Sequence, residues 1–72
     1  MMRIEVLESG TDNEVFVGNA EDFLELNDYD NEIEYALNDL NFKNINDEIE
    51  VCDTIGNNYI IRRIRDDSYA DD

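Results

Sequence analysis

The groups best able to do chemistry in this chain are its carboxylates, twenty Asp and Glu among 72 residues. Their spacing first raises metal binding. Asp28-Tyr29-Asp30-Asn31-Glu32 sets acids at alternate positions and Asp39 falls at the twelfth, the outline of a calcium loop. Such a loop turns on a glycine at its sixth position and closes with a bidentate Glu at its twelfth. Ile33 and Asp39 stand there instead, so the acids read as a solvated face and no metal is expected. Carboxylate pairs for general acid–base work are unavoidable at this density, and none is singled out. Histidine, the usual proton carrier near neutral pH, is absent. A Ser or Cys nucleophile therefore lacks its customary base. Ser9 lies in a turn cluster, Ser68 near the end, and Cys52 beside Asp53 with no basic neighbour to lower its pKa. Cys52 is the only cysteine; it is expected as a small half-buried apolar residue without a disulfide. Gly10, Gly18 and Gly56 are isolated, so no loop cradles phosphate. The chain is expected to be no enzyme, to need no cofactor, and to work by binding.

The elements that must position the carboxylates follow from periodicity. Residues 2–8 alternate, with Met2, Ile4 and Val6 on one side and Arg3 and Glu5 on the other, the pattern of a half-buried strand. A turn cluster at 9–13 leads to a partner strand over 14–18. Asn19 is placed to cap a helix, with Glu21 and Asp22 in the first turn where the helix dipole favours acids. Leu26, Tyr29, Ile33, Ala36, Leu37 and Leu40 keep a helical period and form the expected buried face. Asp28, Glu32, Tyr35 and Asp39 form the opposite stripe. The run from Asn27 to Asn31 is poor in helix formers, so residues 20–41 hold one bent helix or two short ones, with Asp28 or Asp30 capping the second. Phe42 and Ile45 anchor a polar connection. Alternation returns over 47–54 (Ile49 and Val51 inward, Glu48 and Glu50 outward), then a loop at Gly56-Asn57-Asn58 and a strand over 59–65. The expected fold is α+β: two antiparallel hairpins in one sheet with helix between them, β-β-α-β-β. Residues 1–65 form one acidic domain, and 66–72 are expected to be a disordered acidic tail.

The net charge of −15 is the outlier. Disorder fits the last seven residues, but the rest is too periodic and the chain is 42% apolar. Lys43 is the single lysine in a chain with ten Asn and eight Ile, a composition of AT-rich coding that ordinarily brings lysine with it. Its scarcity points to selection for a negative surface. Arg62, Arg63 and Arg65 cluster, yet residues 1–61 carry −14 and residues 66–72 another −4. Three arginines in that field do not hold a phosphate backbone. They are expected to pair across the hairpin with Glu48, Glu50 or Asp53. No direct nucleic-acid binding is expected, and anionic membranes repel the surface. Met1–Val6 contains Glu5 and no long apolar run, so no targeting segment is read there and a cytoplasmic location is expected.

Fifteen charges equal those on roughly 25 Å of duplex DNA, and a domain of this size is about 30 Å across. In size, charge and lack of catalytic residues the chain resembles small acidic inhibitors of phages and mobile elements, the anti-CRISPR and anti-restriction proteins that mimic nucleic acid. The resemblance implies a nuclease or defence complex as partner, with a basic channel that the carboxylates occlude. The expected contact residues are Glu21, Glu25, Asp28, Glu32 and Asp39 on the helical stripe, Tyr35 as an aromatic anchor, and Glu48 and Glu50 on the third strand. The alternative is an acidic adaptor, or an antitoxin-like subunit, recognised by a basic protein through a sheet edge or the Tyr-bearing helix. A homodimer is a further expectation, since one helix covers four strands incompletely and leaves Phe16, Leu24 and Phe42 partly exposed.

Overall fold

Alternation in the first strand has the expected consequence: Ile4 and Val6 of β1 (Arg3–Glu8) are fully buried while the residues between them are not. The computed structural model, which describes residues 2–65, sets β1 inside a four-stranded sheet. β2 (Glu14–Asn19) pairs with one side of β1 and β4 (Asn58–Ile64) with the other. β3 (Glu48–Cys52) pairs with β4, giving the order β2-β1-β4-β3, antiparallel throughout. Two helices, α1 (Ala20–Leu26) and α2 (Asn31–Leu40), lie between the hairpins in sequence and pack on one face of the sheet. The class is α+β, and the chain order is β-β-α-α-β-β.

The core joins Ile4, Val6, Val51 and Ile61 of the sheet to Phe23 of α1 and Ile33, Ala36, Leu37 and Leu40 of α2. An aromatic run fixes α1 against the strands. The Phe23 ring lies 5.2 Å from Phe16 of β2 and 5.6 Å, edge-on, from Tyr59 of β4. Phe16 also covers Gly18 on its own strand, where a Cβ would come within 3.0 Å of the ring.

The helical segment breaks where its sequence is weakest. Asp28 and Tyr29 both adopt left-handed φ, 55° and 57°. The break restarts the helical phase, which corrects the expected buried face. Ile33, Ala36, Leu37 and Leu40 are buried, but Leu26 is 71% and Tyr29 57% exposed. Phe42 and Ile45 are exposed rather than anchoring, and Cys52 is exposed rather than half-buried, because strand alternation after the buried Val51 turns it off the core. Phe16 and Leu24 are half-buried against the core. Asn19 occupies the N-cap of α1 without a side-chain capping bond. The tail at 66–72 lies outside the described residues.

Asp30 caps α2. One carboxylate oxygen accepts from the N–H groups of Glu32 (2.9 Å) and Ile33 (3.2 Å), and the other from the Thr54 N–H (2.9 Å) and the Thr54 hydroxyl. One side chain thus satisfies the helix start and ties it to the β3–β4 turn. The Thr54 hydroxyl, helped by the backbone N–H groups and opposed by desolvation, holds the Asp30 carboxyl below its ordinary 3.8. A lowered folded pKa gives stability that is present above 3.8 and lost as pH falls through the folded value. Asp30→Asn should therefore be less stable than the natural chain at neutral pH, with the gap closing in strong acid. Urea unfolding at both pH values checks this; a gap that is the same at both would show that the capping carboxylate's charge contributes nothing.

Candidate functional site

No Lys or Arg occurs between Arg3 and Lys43. That interval contains both helices, so the helical layer (residues 20–42) has eight acids and no cation. Its buried stripes are apolar, and seven of its eight acids are exposed, the eighth being the half-buried Asp30 that caps α2. Of the sixteen acids described, thirteen are exposed. The two arginines of β4 reach different places. Arg62 lies on the uncovered sheet face, where its guanidinium meets Glu48 at 2.7 Å and Glu5 at 3.6 Å. The hydrogen bond and charge of Glu48, with Glu5 behind, raise its pKa and keep it charged. Arg63 reaches the end of α2 and donates to the carbonyls of Asn41 (3.0 Å) and Lys43 (2.7 Å). It thereby satisfies carbonyls at the negative pole of the helix.

These commitments correct part of the expected arginine pairing. Arg62 does pair with Glu48. Asp53, by contrast, is buried (5% exposed) and serves its own turn. It accepts from the Ile55 N–H (3.1 Å), the Asn57 N–H (2.8 Å) and the Asn57 side-chain amide (3.1 Å). Glu50 accepts from the Ser9 hydroxyl at 3.0 Å.

All eight expected contact residues are exposed, but they do not form one stripe. Glu21 and Glu25 belong to α1, and Asp28 sits in the left-handed break, so it is not a helical residue. Glu32, Tyr35 and Asp39 share one flank of α2. That flank and β3 enclose an open groove of about 350 Å³ lined by Glu32, Tyr35, Asp39, Glu50, Cys52 and the apolar Ala36, Ile49 and Val51. Four of the eight are thus gathered, and Tyr35 is 71% exposed among them. Glu48 is tied to Arg62. Asp22 and Glu34 are equally exposed on the helices and belong to the same surface. Their signal was present in the sequence as first-turn acids.

Tyr59 has its phenol pKa raised, first by burial and then by the charges of Asp53, Glu8 and Asp30. The described residues carry sixteen acids and five basic groups, net −11, on a body with a longest extent of 38 Å. That is one net charge per about 3.5 Å, close to the roughly 3.4 Å of a single nucleic-acid strand and half the density of a duplex. No group of three or more His, Cys, Asp or Glu among the described residues is arranged to hold a metal ion.

No family model, curated protein or solved structure matches this chain. No helix among the described residues is long and apolar enough to cross a membrane.

Proposed function

We propose that this protein is a non-enzymatic inhibitor that presents the charge of a nucleic-acid strand and occludes the basic DNA- or RNA-binding channel of a nuclease or defence complex, of the anti-CRISPR or anti-restriction kind. The observation that carries the reading is the segregation of charge. Eight acids occupy the helical layer without a cation, while Arg62 and Arg63 are drawn into bonds with Glu48 and with helix-end carbonyls. Carboxylates on Glu21, Glu25, Asp28, Glu32 and Asp39 would meet the Lys and Arg that otherwise hold phosphate. Tyr35 would fill a pocket between them, as exposed aromatic anchors do. Association would be fast, because long-range attraction steers opposite charges together.

Competition tests this reading. The complex captured on the immobilised protein should be displaced by a short duplex or single strand of nucleic acid, and the protein should block that complex from binding DNA. Tyr35→Ala should weaken capture more than Glu21→Ala or Glu25→Ala, since one exposed ion pair is worth only about 0.2–1 kcal/mol. Binding that is indifferent to nucleic acid would instead support the adaptor or antitoxin-like reading.

A further inference from the structure

A strand at the edge of a sheet turns half of its backbone groups toward whatever lies beside it. β3 is such an edge, with β4 on one side and no described strand on the other. Two hydrogen bonds fix which groups face out. The Arg63 N–H donates to the Asp47 carbonyl at 2.9 Å, and the Asp53 N–H donates to the Asn57 carbonyl at 2.9 Å. Both pairs continue the β3–β4 register, in which Glu48 faces Arg62 and Cys52 faces Asn58. Hydrogen-bonded and non-bonded pairs alternate along an antiparallel ladder. Asp47, Ile49, Val51 and Asp53 therefore bond toward β4, and the N–H and C=O of Glu48, Glu50 and Cys52 point off the sheet.

We infer that this edge takes an extended, Lys- or Arg-bearing segment of a basic protein as a fifth strand. The inference rests on the proposed function and names how the partner docks. An added strand lies about 4.8 Å outside β3, with its side chains alternating between two sides. On the helix side they enter the groove of Glu32, Tyr35 and Asp39. On the other side they run beside Glu48 and Glu50. Both sets meet carboxylates, and the exposed Tyr35 ring offers a face to a cation. Charge also selects the occupant. A second copy of β3 would set Glu48 and Glu50 against their own kind, which is destabilising across a strand pair. The opposite edge, β2, has one acid, Glu14, beside exposed Val15 and Val17, and complements no cation.

The test uses the full chain and a short synthetic peptide alternating Lys with Val. Its twin has a methyl group on every backbone nitrogen, so it keeps the charge and offers no N–H on either edge. Amide hydrogen exchange by NMR reads the edge. In the free chain the N–H groups of Glu48, Glu50 and Cys52 should exchange faster than those of Ile49 and Val51. The parent peptide should slow those three, and should bind tighter than its twin by at least about tenfold. Glu32→Lys with Asp39→Lys should weaken the parent peptide by a similar factor and leave exchange in the free chain unchanged. Equal binding by parent and twin overturns the fifth strand while leaving the acidic surface as a general cation receptor. Protection that appears on β2 instead also overturns it. Binding by neither peptide at low salt overturns both the fifth strand and the charge-mimicry reading beneath it.

Discussion

Ile61→Ala should unfold a large part of the population at temperatures where the natural chain is folded. Ile61 is fully buried in β4, opposite Val6 on one side and Ile49 on the other, with the helices above. Truncating such a side chain removes its transfer free energy and leaves a cavity, together about 2–5 kcal/mol. A domain of this length has a total stability of only about 4–11 kcal/mol, and self-repulsion at a net charge of −15 lowers it further. Ile61→Val keeps most of the volume and should cost about 0.5–1.5 kcal/mol. Urea unfolding followed by circular dichroism measures both. A loss below about 1 kcal/mol for the Ala variant would mean that the sheet–helix core is not what holds the domain together.

Much of this fold is legible in the residues themselves. Ile4 and Val6, Ile49 and Val51, and the Ile33–Leu40 stripe announce their periods plainly, because each element buries one face. The strand bounds fall within a residue or two of expectation. Asp30, a candidate cap, does cap α2. What the sequence hides is phase across the break. Leu26 and Tyr29 fit the period of α2 on paper, but two left-handed residues at 28 and 29 disconnect them from it. Strand order is hidden as well. Local patterning pairs β1 with β2 and β3 with β4, yet it does not reveal that β1 and β4 meet in the middle, which makes β3 an edge. The exposure of the candidate contact residues was legible from their chemistry. Their division among α1, the break, α2 and β3 was not, since it depends on that same tertiary arrangement. Nor do charges reveal their own partners: Asp53 looked free to meet an arginine, but its turn takes all of its bonds.

Changing Asp28, Glu32 and Asp39 together to Lys should weaken partner binding about a hundredfold. The three replacements take the net charge from −15 to −9, two units for each. All three residues are exposed, so the core is untouched. Each exposed contact is worth about 0.2–1 kcal/mol, and each reversal both removes an attraction and adds a repulsion. The sum is on the order of 3 kcal/mol, about a hundredfold in affinity. Single changes to Ala should be nearly silent by the same arithmetic. Asp28 is the position to watch, because Lys tolerates its left-handed backbone less well than Asp. Thermal unfolding of the triple variant checks that it folds, and Asp28→Asn removes the charge there while keeping the backbone preference.

Charge mimicry itself is tested most directly by calorimetric titration of the captured partner across a salt series, with the triple variant alongside. Screening shortens the reach of charge from about 30 Å at 0.01 M to about 8 Å at 0.15 M, and these contacts lie on an exposed surface. The affinity of the natural chain should fall steeply over that range, and the triple variant should bind about a hundredfold more weakly at low salt. An affinity that is flat with salt, together with normal binding by the triple variant, would contradict the account.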